Sequence, residues 1–171
     1  MRTSCLINNY NYGAFVTEAI ESALKQTVPF DEIVVVDDGS TDGSARLLSE
    51  RYQDHPRVRL VLQAQNQGQL ACINEGFRVA TGDLVCFLDS DDQYTERYLE
   101  RLLRVYRAHP GVDAVSCAVE RFGQVSSIDR RFPTDCDLGY SAIAALYAER
   151  WVGGVTSTLS MRRSILEKIL P

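Results

Sequence analysis

Short apolar runs alternate with helix-like patterns over most of the chain, and this alternation limits the possible folds more than any other feature. Residues 3–7, 33–36 and 58–62 each read as a strand, and each is followed by a polar loop and a run with apolar residues on one helical face. A fourth apolar run, 84–88, follows the third helix. Such units favour parallel strands with right-handed crossovers. The sequence therefore predicts an α/β fold, a doubly wound and mostly parallel sheet with helices on both faces.

The alternation becomes less regular towards the end of the chain. Thr95 is a suitable N-cap for a fourth helix that ends near His109, and residues 112–119 read as a fifth strand. After a polar stretch, the sequence indicates a short helix, a further strand and a last helix at 141–150, 155–161 and 164–170. A length of 171 residues suits one domain with a substantial core. We therefore expect a single domain over 1–171.

Three carboxylates, those of Asp89, Asp91 and Asp92, follow the fourth apolar run within four residues. Because such charge is costly to bury without partners, it is expected where the strand leaves the core, and its crowding favours a bound cation. Oxygen ligands suit a hard divalent ion such as Mg²⁺ or Mn²⁺. Acidic residues after a strand also form turns or cap helices, so the motif alone leaves both interpretations open.

Polar clusters follow three of the predicted strands, at 8–11, 37–40 and 89–92. In open parallel sheets, ligands bind at the carboxyl ends of the strands, near the point where the strand order reverses. The first cluster offers amide groups and an aromatic ring suited to a planar base, and the second offers carboxylate acceptors for base N–H or ribose hydroxyl groups. The third could hold a cation that neutralises a diphosphate. We expect the three clusters to meet at one edge.

Composition argues against several classes of partner. The chain carries 18 Lys and Arg against 23 Asp and Glu, a net charge of −5, and its basic residues form no stripe, so nucleic acid is not expected. No apolar run reaches the length of a membrane span, and the first one is too short for a signal-peptide core. These features predict a cytoplasmic protein. The five cysteines lack Cys-x-x-Cys spacing and are expected to be reduced.

Taken together, residues 5–11, 33–42 and 66–92 resemble the successive motifs of the family 2 glycosyltransferases, which have the GT-A fold. The resemblance runs in register along roughly the whole chain. It implies a metal-dependent hexosyltransferase that takes a nucleotide-sugar donor, with a UDP-sugar expected, and uses Mg²⁺ or Mn²⁺. The sugar would pass with inversion to a hydroxyl group of a sugar, lipid or protein acceptor.

The resemblance also implies roles for individual residues at the nucleotide. Asn8 and Tyr10 fall in the loop that holds the base in the family. Asp38 matches the family carboxylate that contacts the base, and Asp37 lies beside it.

The acidic motif corresponds to the Asp-x-Asp motif of the family, with Asp89 and Asp91 as its outer members. On this basis Asp91 is the first choice as metal ligand. Asp89 would face the ribose or sugar or share the metal, and Asp92 would be a nearby carboxylate. The roles within this trio remain interchangeable at this stage.

The family pattern further divides the chain into a nucleotide-sugar-binding half, 1–119, and an incomplete acceptor-side half, 120–171. No catalytic base is assigned, because the segment that carries it in the family is expected beyond Pro171. The late carboxylates interpreted as surface charge are Asp135, Asp137 and Glu149. We expect a piece of a longer transferase, which could act at the cytoplasmic face of a membrane and could be inactive as this fragment. A homodimer remains open.

Two alternatives belong to other functional classes. A catalytically incomplete domain would keep the donor cleft and transfer nothing. A receiver-like phosphoacceptor module also places acidic residues at strand ends, although it normally has its acidic pair after the first strand, whereas Asp37 and Asp38 follow the second. A dinucleotide-binding oxidoreductase is disfavoured, because residues 8–13 contain no Gly-x-Gly-x-x-Gly loop.

Overall fold

A six-stranded sheet forms the centre of the structure, a computed structural model that describes residues 1–122, 126–129 and 155–170. The strands are β1 Thr3–Asn9, β2 Glu32–Asp37, β3 Val58–Leu62, β4 Leu84–Asp89, β5 Ala114–Ser116, β6 Val119–Arg121, β7 Ser127–Asp129 and β8 Leu159–Arg162. The helices are α1 Val16–Leu24, α2 Ser44–Tyr52, α3 Gln69–Val79, α4 Tyr98–Ala108 and α5 Arg163–Ile169, with a 3-10 turn at Thr156–Thr158.

The strand order in the large sheet is β3-β2-β1-β4-β8-β5. Strands β1 to β4 run parallel, with Asn9 opposite Asp37 and Asn8 opposite Asp89. The chain moves outward from β1 to β3 and then returns to the other side of β1 with β4, so the order reverses between β1 and β4. This reversal creates the crevice at which open α/β sheets bind ligands.

Helices cover both faces of this sheet, and the alternation of side chains along each strand explains why. On one face Ile7 and Val35 pack with α1, α2 and α4, whereas on the other face Leu6 packs with α3 and α5, and Val34 packs against α3. A strand that is buried on both sides needs apolar residues at every position, which accounts for the continuous runs in the sequence. The predicted doubly wound, mostly parallel sheet is therefore confirmed.

The end of the described chain departs from the prediction in its details. The predicted strand at 155–161 is wrong in its first half, because the Thr158 N–H and hydroxyl both bond to the Val155 carbonyl and close a 3-10 turn. The strand β8 follows this turn and pairs antiparallel with β4 and with β5. The strand predicted at 112–119 is limited to Ala114–Ser116 in this sheet. The prediction of a helix at 141–150 lies outside the described residues.

The start of α4 also differs from the prediction. Thr95 is not its N-cap: the helix begins at Tyr98, whose N–H bonds to the Thr95 carbonyl in a preceding turn. Among the helices of the described ranges, none is both long and apolar enough to cross a membrane.

Candidate functional site

A cavity of about 330 Å³ lies at the carboxyl ends of β1, β2 and β4, where the strand order reverses. Its wall combines the loops after these strands with the first turn of α3. The lining residues are Asn8, Asn9, Tyr10, Tyr12, Asp38, Asn66, Gly68, Gln69, Cys72, Asp89, Ser90 and Asp91. The three polar clusters predicted to meet at one edge of the sheet do meet there.

The loops after β1 and β2 are fastened together by side-chain hydrogen bonds. The Asn9 amide donates to Asp37 Oδ2 at 2.7 Å, and Asp37 also accepts from the Ser40 N–H and hydroxyl at 3.0 and 2.7 Å. The Ser40 Oγ accepts in turn from the Asn11 N–H at 2.9 Å. Asp37 is completely buried and is absent from the cavity wall, so its carboxylate organises the turn.

Asp38 faces the cavity and fixes the loop that leads into α3. Its two carboxylate oxygens accept from the N–H groups of Gln67 and Gly68, both at 2.8 Å, and its own N–H donates to the Asn9 carbonyl. The neighbouring Gly39 has a φ of +68°, and a Cβ there would lie 2.6 Å from the Gln65 main chain. Only glycine allows the two loops to approach so closely.

Two aromatic rings line the same cavity as this carboxylate. Tyr10 and Tyr12 line the cavity and are 43% and 44% exposed, so that part of each ring is open to a ligand.

The amide oxygens Oδ1 of Asn8 and Asn9 are buried and have no hydrogen-bond partner within the described part of the chain. A buried acceptor without a donor is costly, which indicates that a ligand N–H or O–H group could bind there.

The acidic turn after β4 is held from two directions. The Asp89 N–H donates to the Ser157 hydroxyl oxygen at 2.9 Å, and Asp89 Oδ1 accepts from the Gln69 side-chain amide at 3.0 Å. The turn itself is closed by the Asp92 N–H, which donates to the Asp89 carbonyl at 3.1 Å. Asp91, at its tip, is exposed.

Charge is crowded at this turn. Burial raises the pKa of Asp89 above its usual range; a hydrogen bond from the Asn8 side chain opposes the rise, and the Asp92 and Asp91 carboxylates add to it. A divalent cation would reverse this effect, since a positive charge favours the ionised form. Across residues 1–122, 126–129 and 155–170, no three Asp, Glu, His or Cys side chains are arranged to hold a metal by themselves. A cation here would therefore need ligands besides these side chains, such as water or the oxygens of a bound molecule.

Cys72 is a buried residue of the cavity lining, in the first turn of α3. Burial, and then the neighbouring carboxylate of Asp38, raise the pKa of its thiol to about 12. A thiol in this state is protonated at neutral pH and is a poor nucleophile.

The predicted site residues separate into two groups. Those that line the cavity are Asn8, Tyr10, Asp38, Asp89 and Asp91, and those that stand outside its wall are Asp37 and Asp92. Sequence reasoning missed Gln69 and Ser157, which contact Asp89 from 20 and 68 residues away. The Asn-x-Gly turn before α3 could have indicated Gln69, whereas no local signal points to Ser157.

Comparison with known sequences shows which family this chain resembles. A family model described as "Glycosyl transferase family 2" matches residues 4–170. A protein of Nostoc sp. described as an uncharacterized glycosyltransferase is 35% identical over 174 residues, which cover 100% of this chain and 54% of that protein. Chondroitin synthase of Escherichia coli is 38% identical over 104 residues, 61% of this chain and 15% of that protein. The chain thus spans about half the length of the first relative and less of the second.

Two solved structures share the fold. TarS of S. aureus in complex with UDP-GlcNAc superposes with a TM-score of 0.79 at 24% identity, covering 99% of this chain and 47% of TarS. The mannosyltransferase PcManGT of Pyrobaculum calidifontis, in complex with GDP-Man and Mn²⁺, gives a TM-score of 0.72 at 24% identity, covering 98% of this chain and 46% of that one. These likenesses confirm the predicted architecture.

Proposed function

The chain belongs to glycosyltransferase family 2, and we propose that it binds a nucleotide-sugar donor in the cavity and transfers the sugar, with inversion, to an acceptor hydroxyl. The observation that carries the proposal is the convergence of Asp38, Asp89 and Asp91 around one cavity at the reversal point of the sheet. The family match over residues 4–170 also decides against the receiver-like alternative.

The half of the cavity next to β2 suits the nucleoside. Each oxygen of Asp38 accepts one backbone N–H and retains a further acceptor position for a base N–H. The orphaned oxygens of Asn8 and Asn9 would accept from base or ribose groups, and the ring of Tyr10 offers a stacking surface. We take a UDP-sugar as the donor, in line with the UDP-GlcNAc bound by TarS, with GDP-Man in the Pyrobaculum enzyme as the competing precedent.

The half next to β4 suits a divalent cation, Mg²⁺ or Mn²⁺. The described carboxylates form no group of three that could hold a metal, but such ions are commonly bound by one or two carboxylates together with phosphate oxygens of the substrate. Asp91, exposed at the tip of the turn, is the proposed first ligand, with Asp89 as the second and Asp92 nearby. When bound, the cation would neutralise the charge that develops on the departing diphosphate.

Transfer also needs a group that takes the proton of the acceptor hydroxyl. The cavity carboxylates are committed elsewhere in this proposal, Asp38 to the base and Asp89 with Asp91 to the cation. No catalytic base is therefore assigned among residues 1–122, 126–129 and 155–170. A second candidate function follows from this, a domain that binds the donor without transferring the sugar.

Ligand-induced stabilisation tests the donor proposal. We expect UDP or a UDP-sugar with Mn²⁺ to raise the melting temperature more than GDP or dTDP derivatives, and EDTA to remove most of the shift. A ligand at one hundred times its Kd stabilises the folded state by about 2.7 kcal/mol, which such an assay detects easily. The absence of a shift with every nucleotide, with and without metal, would contradict the proposal. Release of UDP from a UDP-sugar would separate an enzyme from the binding domain.

A further inference from the structure

Gln69 lines the cavity, and its side chain contacts the acidic turn. It is the first residue of α3, follows Gly68 at a φ of +92°, and is exposed. Its side-chain Nε2 donates to Asp89 Oδ1 at 3.0 Å, a bond between elements 20 residues apart in sequence. This contact joins the α3 side of the cavity to the β4 side.

Asp89 is thereby fixed in both its main chain and its side chain. Ser157 holds the main-chain N–H at 2.9 Å, and Gln69 holds one carboxylate oxygen. The carboxylate is also repelled by the charges of Asp92 and Asp91. This repulsion favours movement of the carboxylate away from its neighbours, and the hydrogen bonds from the side chains of Gln69 and Asn8 oppose that movement.

We propose that Gln69 is a positioning residue of the donor site, which holds the Asp89 carboxylate in the orientation that receives the divalent cation. The proposal rests on the function proposed above, and it adds a residue of α3 to the group that prepares the metal site. Hydrogen-bond partners behind metal ligands typically change metal affinity by about 10- to 100-fold when they are removed. Because Gln69 is exposed, we expect the lower end of that range.

The test separates metal binding from nucleotide binding. Wild type and Gln69→Leu, which keeps much of the side-chain volume without the amide donor, would be titrated with Mn²⁺ at a fixed UDP concentration, and with UDP in EDTA. We expect the Mn²⁺ midpoint to rise about tenfold in the variant. The UDP affinity in EDTA and the ligand-free melting temperature should stay unchanged. Gln53→Leu, an exposed glutamine just after α2 and outside the cavity wall, is the matched control and should resemble wild type.

Three other results of these titrations would overturn one or both proposals. An unchanged or lower Mn²⁺ midpoint in Gln69→Leu would overturn the positioning role while leaving the donor proposal intact. An equal loss of UDP affinity in EDTA would also overturn it, since Gln69 would then contact the nucleotide itself. A wild-type protein that shows no response to Mn²⁺ with UDP, GDP or dTDP would overturn both proposals together.

Discussion

The parallel strands carry a cluster of buried polar groups at each end, and the two clusters differ in how completely their atoms are paired. At the amino end, Glu32 Oε1 accepts from the hydroxyl of Ser4 at 2.6 Å and from the N–H and hydroxyl of Thr81, while Arg2 lies 3.9 Å from Oε2. At the carboxyl end, two buried amide oxygens of Asn8 and Asn9 lack partners within the described ranges.

The carboxylates of the two clusters respond in opposite directions. Burial alone would raise the pKa of Glu32, but hydrogen bonds from Ser4 and Thr81 and the charge of Arg2 outweigh burial, and the pKa is lowered. At Asp89 burial prevails with the help of neighbouring carboxylates, and the pKa is raised. A buried acid whose charge is compensated by hydrogen bonds and a cation stabilises the fold. A buried acid that is repelled by neighbouring carboxylates indicates a place for a ligand.

Removal of the paired acid should produce the largest effect on stability. Glu32→Ala leaves the Ser4 hydroxyl and the Thr81 N–H without their acceptor, and we expect the free energy of unfolding to fall by about 3 kcal/mol. Urea denaturation measures this loss. The nucleotide affinity of the folded fraction should not change, because Glu32 lies at the opposite end of the strands. A loss below about 1 kcal/mol would contradict the structural role assigned to this cluster.

Removal of an exposed acid at the other end should act on ligand binding alone. Asp91→Asn should abolish the Mn²⁺-dependent part of the thermal shift with UDP and change the ligand-free free energy of unfolding by no more than about 0.5 kcal/mol. Asp83→Asn is the matched control, since Asp83 immediately precedes β4 and Asp91 lies just beyond its other end. The control should keep the full Mn²⁺-dependent shift. If Asp91→Asn keeps it as well, the metal site lies elsewhere.

The sequence predicted the architecture because its strands are buried on both faces. Residues 33–36 and 84–88 have no polar position to satisfy on either side, so their apolar runs indicate strands without knowledge of the partners. The rule that parallel strands end at one edge then brought Asp38 and Asp89 to the same cavity. Strand composition and connection geometry were sufficient for this part of the site.

What the sequence did not predict depends on contacts between distant segments. The antiparallel direction of β8 is set by its pairing with β4, and nothing local in residues 155–161 encodes it. The same return brings Ser157 to Asp89 across 68 residues. Adjacent acids were also hard to separate, because Asp37 and Asp38 look alike in sequence while hydrogen bonds turn one into the fold and the other towards the cavity.

The pH dependence of stability offers the finest test of the contrast between the two ends. Glu32, with a folded pKa below its ordinary 4.5, contributes stability that is present above that value and is lost as pH falls through the folded pKa. Asp89, with a folded pKa above its ordinary 3.8, contributes stability that is present below that value and is lost as pH rises through the folded pKa. The two acids therefore act with opposite sign in the weakly acidic range.

We expect two neutral variants to reveal this opposition in EDTA, as pH rises from about 3 to about 7. Relative to wild type, Glu32→Gln should become less stable, because only the wild-type side chain gains from ionisation in the paired cluster. Asp89→Asn should become more stable relative to wild type, because it avoids the cost of ionising an acid beside Asp91 and Asp92. Unfolding free energies at several pH values measure both trends. If both variants changed in the same direction, the prediction would be wrong. Ionisation of Asp89 in the absence of a cation would then stabilise the fold, as ionisation of Glu32 does.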